Sequence, residues 1–318
     1  MSEQAPHKTV LQEEAVSALA IIPDGIYVDA TFGRGGHSRS ILAQLNSNGR
    51  LLVLDKDLEA IAEAARLAEK DKRVIYAHTP FSRLSEICQH YDLAGKVNGV
   101  LFDLGVSSPQ LDDPVRGFSF MRDGPLDMRM NTESGITAAQ WISKATETEI
   151  ADVLYHYGEE RHSRRMARAV VKAREEAPIT TTAQLAEIIK EANPAWERDK
   201  HPATRAFQGI RIFINEELDE IRSALQQAVD VLASGGRLVA ISFHSLEDRI
   251  VKRYIAEQAS GDRYPRGLPI PADQLKPVLR KIGKALKPAK AEIEMNPRAR
   301  SAVLRVAEKT EQGESRDA

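Results

Sequence analysis

Three aspartates in the first half of the chain each follow a short apolar segment, and this placement suggests chemistry at one edge of a sheet. Asp29 ends IYVD, Asp55 ends LLVLD and Asp103 ends GVLFD. In an open parallel sheet, ligands bind beyond the carboxyl ends of the strands. We therefore expect the three carboxylates to share one ligand-binding edge, with Asp103 nearest to the reacting centre. The alternative for Asp103 is a turn or cap acid before Gly105.

A glycine-rich turn lies between the first two aspartates. The sequence VDATFGRGGHS, residues 28–38, contains Gly33, Gly35 and Gly36. Glycines let the backbone turn sharply and approach a ligand closely, because they lack a Cβ atom. Asp55 follows Gly35 by twenty residues. A carboxylate at that spacing can accept both ribose hydroxyls of an adenosine-containing cofactor.

The same turn leaves two nucleoside cofactors to compare. A dinucleotide fingerprint beginning at Gly33 and Gly35 would place its third glycine at Ser38. Asp29 would also lie unfavourably close to a pyrophosphate, whereas it suits a ligand with an ammonium and a sulfonium. These features favour S-adenosylmethionine over a dinucleotide. An NAD-dependent dehydrogenase is the alternative function. The turn could also be an ordinary tight connection between strand and helix that binds no cofactor.

The elements that would position these residues alternate in type. Strands that are apolar throughout and separated by helices are typical of a parallel sheet covered on both faces. The pattern predicts strands at Ile26–Ala30, Leu51–Asp55, Val74–Ala77 and Gly99–Leu104, with helices at Ser38–Leu45, Leu58–Ala68 and Leu84–Tyr91.

This alternation stops after Leu104. The Gly/Pro/Asp-rich segment Gly105–Met130 predicts an ordered loop. Thr146 and Glu149 have the spacing of a capping box, and helical patterns follow at Ser163–Arg174 and Thr181–Ala192. Because no clear strand lies between residue 131 and about residue 207, we expect a small all-helical unit here.

The strand-and-helix alternation then returns. Asn215 is predicted to cap a helix that Gly235 and Gly236 end, and strands are predicted at Arg237–Phe243 and Ser301–Val306. The helical unit is therefore predicted to be inserted in one α/β domain. The predicted boundaries are residues 1–112 and 207–308 for the α/β domain, 113–206 for the helical domain, and 309–318 for a polar tail.

Composition and charge limit the classes of function. The single cysteine excludes an intramolecular disulfide, and no His/acid spacing is typical of a metal site. We expect a cytoplasmic protein with no membrane span and no metal. The net charge of −2 argues against a protein that coats nucleic acid nonspecifically. Basic residues nevertheless form two clusters: Lys276, Arg280, Lys281, Lys284, Lys287 and Lys290, with no acid among them, and Arg161, Arg164, Arg165, Arg168, Lys172 and Arg174, flanked by acids.

Each basic cluster could be a solvated face or a contact with nucleic acid. A solvated face is the commoner origin of a single charge run. The acid-free cluster is the better nucleic-acid candidate of the two. Contacts of this kind would weaken as salt is added.

Together, five motifs resemble the RsmH (MraW) family of bacterial 16S ribosomal RNA cytosine-N4 methyltransferases. The resemblance runs in order from His7 to about Glu308, and the longest motif is highly specific. The motifs are VDATFGRGGHS at 28–38, FDLGVSSPQLDDPVRGFSFMRDGPLDMRM at 102–130, HPATRAFQGIRIFINEEL at 201–218, SFHSLEDRIVK at 242–252 and NPRARSAVLR at 296–305.

The resemblance implies a class I, Rossmann-like methyltransferase with a mainly parallel sheet and an inserted helical domain for substrate recognition. Its substrate would be a cytidine in the decoding region of 16S ribosomal RNA, within the small ribosomal subunit, and a homodimer is a possible assembly. Many amino-methyltransferases carry Asp-Pro-Pro-Tyr after the fourth strand, where this chain has Asp103-Leu-Gly-Val. The resemblance also implies an S-adenosylmethionine site lined by Gly35, Gly36, His37, Asp55, Phe81, Asp103 and Gln110, beside Gly33 of the same turn.

Other residues of the motifs have weaker predicted roles. Phe118 and Phe120 could hold a flipped base or anchor the loop in a core. Arg116, Arg122 and Arg129 could contact phosphates or pair with nearby acids, and His244 is expected to be structural. Two other functions remain open at this point: an RNA-binding ribosome-assembly factor without catalysis, and a methyltransferase that acts on protein.

Overall fold

The computed structural model describes residues 9–194, 201–261 and 276–311. The chain divides into two compact units, one formed by Met1–Gly105 with Leu218–Ala318 and the other by Val106–Glu217. The second unit is thus an insertion in the sequence of the first. No helix among the described residues is long and apolar enough to cross a membrane.

The first unit is built on a seven-stranded sheet with the order β3-β2-β1-β4-β5-β7-β6. Neighbouring strands from β3 to β5 pair in parallel, and β7 pairs antiparallel with both β5 and β6. This is the mainly parallel, Rossmann-like sheet that the sequence predicted. The strands are β1 (Ile26–Asp29), β2 (Arg50–Asp55), β3 (Val74–His78), β4 (Val97–Asp103), β5 (Leu232–Ser242), β6 (Leu279–Lys281) and β7 (Val303–Lys309).

Helices bury apolar side chains on the sheet of the first unit. Val53 and Leu101 belong to one buried cluster with Val16, Ile41 and Ala64, which come from three different helices. Burying these apolar surfaces is the main stabilising contribution to the unit. Its helices are α1 (Gln12–Ala18), α2 (Gly36–Leu42), α3 (Leu58–Lys70), α4 (Leu84–His90), most of α11 (Glu217–Val231), α12 (Ser245–Ala259) and α13 (Lys290–Met295).

Two predictions about the end of the first unit were wrong. Gly235 and Gly236 lie inside β5, because α11 ends at Val231 and the strand begins at Leu232. The predicted polar tail also starts too early. Lys309 ends β7 and is buried, and its Nζ donates to the Leu232 carbonyl oxygen at 2.7 Å. A buried lysine that caps a carbonyl in this way belongs to the sheet, and residues 312–318 lie outside the described part of the chain.

The second unit is helical and has its own core. Leu126, Trp141, Leu154, Met166 and Phe207 are buried in one cluster drawn from this unit alone. Its helices are α5 (Ser108–Asp112), α6 (Ala138–Lys144), α7 (Glu147–His156), α8 (Ser163–Glu176), α9 (Thr182–Ala192) and α10 (Thr204–Ile214).

Capping boxes begin several of these helices. The predicted box of Thr146 and Glu149 is confirmed at the start of α7. The same pattern begins α6, with Thr137 and Gln140, and α9. Such boxes satisfy backbone N–H groups that the helix itself leaves without partners. The predicted loop at 105–130 contains a short helix, α5, and a 3-10 turn at Pro114–Arg116.

The inserted unit extends further in both directions than the sequence predicted. A boundary at residue 206 would cut α10, whose Phe207 and Ile210 are buried in the helical core. Asn215 therefore ends α10 instead of capping α11. Its side chain accepts from Met130 N–H at 2.7 Å and donates to the Met128 carbonyl oxygen at 2.7 Å. These long-range contacts have no signature in local sequence.

Candidate active site

Asp29 lies at the end of β1 and is almost fully buried. Its Oδ2 accepts a hydrogen bond from Ser38 Oγ at 2.6 Å, and its Oδ1 accepts from Thr31 N–H at 3.2 Å. Burial raises the pKa of Asp29 to about 6, although these hydrogen bonds oppose the rise. Ser38, where a dinucleotide fingerprint would have glycine, thus has a role that its hydroxyl alone can supply.

Asp55 ends β2 and holds the glycine turn. Its Oδ2 accepts from Gly33 N–H at 2.8 Å, and its Oδ1 accepts from Asp57 N–H at 2.9 Å. Burial raises the pKa of Asp55 to about 6. A carboxylate oxygen has two acceptor sites. Each oxygen of Asp55 therefore keeps one site that a pair of ribose hydroxyls could occupy.

The three glycines of the turn serve different purposes. Gly33 has a φ of +55° and open space around the position of a Cβ atom, so a ligand can approach its backbone. A Cβ on Gly35 would lie 2.6 Å from the Phe32 ring, and a Cβ on Gly36 would lie 1.8 Å from Thr9 Oγ1. Gly35 and Gly36 are therefore fixed by close packing within the unit, and Gly33 is the one that faces free space.

Asp103 ends β4, and its carboxylate is incompletely satisfied. Its backbone N–H donates to Thr31 Oγ1 at 2.6 Å. Oδ1 is buried without a hydrogen-bond partner among the described residues, although 24% of the side chain is exposed. Burial and the negative charges of Asp29 and Glu247 raise the pKa of Asp103 well above its ordinary value. Such an acid is a strong proton acceptor once it is ionised.

His37 lies beside Asp103. Its Nδ1 is 3.6 Å from Asp103 Oδ2, and its Nε2 is buried without a hydrogen-bond partner among the described residues. Burial lowers the pKa of His37 to about 4, against the opposing effect of a hydrogen bond with the Val10 backbone. The ring is therefore neutral at physiological pH, so it does not neutralise the nearby carboxylates.

Glu247 is a residue of this region that the sequence analysis missed. It is fully buried, and its Oε2 accepts from Phe243 N–H at 2.7 Å and from His244 N–H at 3.2 Å. The His244 side chain caps α12 in return, as expected for a structural histidine. The capping-box spacing of His244 and Glu247 is the signal that could have found this pair.

Phe81 and Gln110 are the remaining residues of the predicted cofactor site. The Phe81 ring packs edge-on against Phe102 of β4, with 5.8 Å between the ring centroids. Gln110 belongs to the second unit, where its Oε1 accepts from Ser107 N–H at 2.8 Å at the start of α5. Their roles in cofactor binding stay predictions.

The structure separates the aromatic and basic candidates of the glycine-rich loop. Phe118 is buried in the helical core, and Phe120 packs against the rings of His201 and Phe207. Arg116 is buried and donates to the Met130 carbonyl oxygen at 2.9 Å. The prediction that this side chain contacts a phosphate is therefore wrong.

Arg129 is paired with an acid, whereas Arg122 has no such partner among the described residues. Arg129 forms a two-point ion pair with Asp127, with N···O distances of 2.8 Å. The Arg122 side chain is exposed and has no ion pair with the described residues. Arg122 thus stays a candidate for a phosphate contact.

Charge decides which cofactor fits the first unit. Asp29, Asp55 and Asp103 are carboxylates at the ends of three adjacent strands, and each has a raised pKa. A positively charged ligand would favour their ionised forms, whereas a pyrophosphate would add negative charge to them. S-adenosylmethionine carries an ammonium and a sulfonium as well as a ribose, and it therefore fits these residues. The dinucleotide alternative does not fit.

Comparisons with known proteins agree with this choice. The model of the MraW methylase family matches residues 4–310. Ribosomal RNA small subunit methyltransferase H of Pseudoalteromonas atlantica is 57% identical over 97% of this chain and all of its own length. The protein of the same name from Thioalkalivibrio sulfidiphilus is 57% identical over 95% of this chain and 97% of its own.

Solved structures are more distant. An rRNA methylase from Streptococcus thermophilus aligns with 12% identity and a TM-score of 0.42, over 96% of this chain and all of its own. That similarity supports no conclusion about function. The family match and the two relatives extend over nearly the whole chain, and this chain is therefore a member of the MraW methylase family, with S-adenosylmethionine as its cofactor.

Proposed function

We propose that this protein methylates the exocyclic N4 of a cytidine in the decoding region of 16S ribosomal RNA. Two relatives at 57% identity are named for the small-subunit ribosomal RNA, which supports the substrate class. The observation that carries the choice of an amino group is Asp103, a carboxylate with a buried, unpartnered oxygen at the ligand-binding edge. The proposal places the protein in the cytoplasm, where the small subunit is its partner.

The target amine makes two demands on the protein. Its lone pair is delocalised into the cytosine ring, so the nitrogen must become pyramidal and lose a proton as it forms the new N–C bond. When bound, S-adenosylmethionine supplies the methyl group and takes the electron pair of the broken C–S bond. The chain must therefore align the amine with the methyl group and accept the amino proton.

Asp103 meets the second demand. The hydrogen bond from its backbone N–H to Thr31 Oγ1 holds its backbone in place at the end of β4. Its raised pKa gives it more affinity for a proton than an exposed aspartate has. The neutral His37 ring lies close enough to restrict the carboxylate without cancelling its charge. Ionised Asp103 thus takes the amino proton, and no metal is needed for the transfer.

The test is transfer of labelled methyl groups from S-adenosylmethionine to small ribosomal subunits that lack this modification. Nucleoside analysis of the RNA should then find the label in N4-methylated cytidine. The Asp103→Asn variant, checked for cofactor binding, is the matched control of low activity. Label in a ring-carbon or ribose methyl would contradict the assigned atom, and label in protein would contradict the substrate class.

A lack of any transfer is also informative. If the protein binds the cofactor and the subunits but transfers nothing, the catalytic proposal fails and a non-catalytic assembly factor replaces it. Homodimer formation stays a prediction, which the molar mass in solution would test.

A further inference from the structure

We infer that the outer face of α8 is a binding surface for the phosphate backbone of RNA. Five side chains define this basic stripe, and all are exposed. They are Arg161, Arg164, Arg165, Arg168 and Lys172. The inference rests on the proposed RNA substrate and identifies which part of the chain would hold it.

The stripe is continuous along one side of the helix. Within α8, Arg165, Arg168 and Lys172 are separated by steps of three and four residues, which places them on one helical face, and Arg161 lies in the turn just before the helix. The opposite face, which includes Met166 and Val170, is buried in the core of the second unit. With a rise of 1.5 Å per residue, the part of the stripe within α8, from Arg164 to Lys172, is about 12 Å long. It is therefore a rigid row of cations on a packed helix.

Most of these charges have no counter-charge among the described residues. Arg168 Nε lies 3.5 Å from Glu147 Oε1, and both side chains are largely exposed. Within the part of the chain that the structure describes, Arg161, Arg164, Arg165 and Lys172 form no ion pair and no side-chain hydrogen bond. Four unpaired cations are a strong local excess in a chain whose net charge is −2. An anionic partner would supply the missing counter-charges.

The order of charges along α8 is the opposite of what stabilises a helix. A helix favours acids in its first turn and bases in its last. The first turn of α8 has no acid and contains Arg164 and Arg165, whereas Glu175 and Glu176 are in the last turn. The N-terminal residue His162 also gives no side-chain cap. The stripe therefore does not serve the stability of the helix, and the helix dipole adds to its positive potential.

Arg174 shows the contrast within the same helix. Its Nη1 donates to the carbonyl oxygens of Ile142 and Ala145, the latter at 2.6 Å. Arg174 is thus committed to the end of α6 and is excluded from the stripe. In the other basic cluster, Arg280 likewise pairs with Glu308.

Residue type also favours phosphate. Four of the five stripe residues are arginines, whose planar guanidinium groups can donate two parallel hydrogen bonds to one phosphate. In the cluster at 276–290, the one arginine, Arg280, pairs with Glu308, and the other five residues are lysines, which are single-point charges. Residue type and the pairing of Arg280 with Glu308 therefore favour α8 over the acid-free cluster, which was the better candidate from sequence.

The test compares two full-length variants, each of which loses four positive charges. In the stripe variant, Arg161, Arg164, Arg165 and Lys172 are changed to Gln. In the control variant, four exposed bases of the first unit are changed to Gln, namely Arg66, Lys70, Lys96 and Arg222. The probe is protein-free transcript of the small-subunit RNA, and its dissociation constant is measured over a series of salt concentrations.

We expect the stripe variant to bind this RNA at least tenfold more weakly at about 0.15 M salt, while the control variant binds it as the wild type does. The slope of the logarithm of the association constant against the logarithm of the salt concentration should also become shallower by about 0.7 to 0.9 for each lost phosphate contact. Cofactor affinity and the thermal unfolding midpoint should not fall. A local loss of fold would instead lower the midpoint.

Equal RNA affinities for the two variants would overturn the inference. So would a stripe variant that binds free RNA normally but loses affinity for assembled subunits, because a ribosomal protein would then be the partner. If the wild type binds RNA through the stripe but transfers no methyl group, the surface stands and the proposed function fails.

Discussion

The environment of Asp103 disfavours the ionised form of its carboxyl group. This residue lies near Asp29 and Glu247, has a neutral histidine beside it, and leaves one oxygen without a partner among the described residues. Burying a carboxylate under such conditions is unfavourable for folding. A group of this kind is retained when the site needs it for binding or catalysis.

The first prediction concerns stability. Because the folded-state pKa of Asp103 lies above the unfolded value of about 3.9, ionisation destabilises the protein as pH rises from about 4 through the folded pKa. Asp103→Asn removes this effect without removing a hydrogen bond to the carboxylate. The variant should therefore melt at a higher temperature than the wild type at pH 8, and the difference should shrink towards pH 4.

The control for this stability measurement is Asp92→Asn, which changes an exposed aspartate that pairs with Lys96. Its melting temperature should follow that of the wild type at every pH. A lower melting temperature of Asp103→Asn at pH 8 would show that the carboxylate is a structural acceptor.

The second prediction concerns the rate of methyl transfer. Only ionised Asp103 can accept the amino proton, so the rate should fall as pH decreases through its raised pKa, at a pH above the range of ordinary aspartates. Asp103→Asn should lower kcat by about 10²–10⁴-fold. Its residual activity should lack this acid limb. A variant that keeps both the rate and the limb would assign the proton acceptor elsewhere.

Residue types at the site were predictable to different degrees. The positions of Asp29, Asp55 and Asp103 followed from strand ends, because parallel strands end at a common edge. The roles of Ser38 and Thr31 were not predictable, because each depends on a contact between segments that turn back on each other. Glu247 lies far along the chain, and only the fold brings its charge to Asp103.

At the scale of elements, the glycine turn shows how packing restricts a loop. Gly36 is the first residue of α2, where alanine would suit the helical backbone. Its close neighbour is Thr9, which precedes α1. The turn is therefore held by the chain segment before the first helix as well as by Asp55.

The third prediction is a double-mutant test of that contact. Gly36→Ala should destabilise the protein by about 1–3 kcal/mol, because its Cβ would overlap Thr9 Oγ1. Thr9→Ala removes the overlapping atom, so the double variant should recover most of the loss. Denaturant unfolding measures all four proteins. Additive effects of the two changes would mean that Thr9 is not what excludes a side chain at Gly36.

The fourth prediction separates two basic residues of α8. Arg174→Ala should lower stability by about 1–2 kcal/mol, because two carbonyl oxygens near the end of α6 lose a charged donor. Lys172→Ala should change stability little, since this exposed side chain has no partner among the described residues. Thermal unfolding of the two variants is the measurement. Equal effects of the two changes on the unfolding temperature would mean that the hydrogen bonds of Arg174 do not stabilise the protein.

Elements were more predictable where the pattern was local. Apolar segments gave the central strands, and the Thr-x-x-Glu spacing gave the start of α7. Asn215 was assigned to the wrong helix because its partners, Met128 and Met130, are far away in sequence. The basic residues on and before α8 form a single cluster in sequence. The structure separates the exposed stripe from Arg174, which binds carbonyl oxygens near the end of α6.

At the scale of the whole molecule, the division of the chain agrees with a buried cluster that belongs to the helical unit. The buried residues of the helical cluster all lie between Phe118 and Ile210. The sequence predicted an insertion from the loss of alternating strands. It could not place the junctions, because α10 and the glycine-rich loop join the helical core through contacts that no local pattern records.

The fifth prediction follows from the core of the helical unit. A chain of residues 106–217 alone should give a helical circular dichroism spectrum and a cooperative thermal transition, because the described residues of its buried cluster all come from this range. A matched chain ending at residue 206 should lose cooperativity, since Phe207 and Ile210 would be missing. A helical but non-cooperative melt of the longer chain would contradict the autonomy of the unit.

The place of β7 in the sheet has a consequence for the order of events during synthesis. Strand β4 pairs with β1 on one side and with β5 on the other. Strand β5 pairs on its other side with β7, which is the last strand to be synthesised. The helical unit leaves the ribosome before any of β5 to β7 emerges. In that interval the apolar strand β4 is an open edge that other nascent chains can pair with. Chaperones that hold unfinished sheets should therefore meet this protein at its N-terminal third, while its middle is already folded.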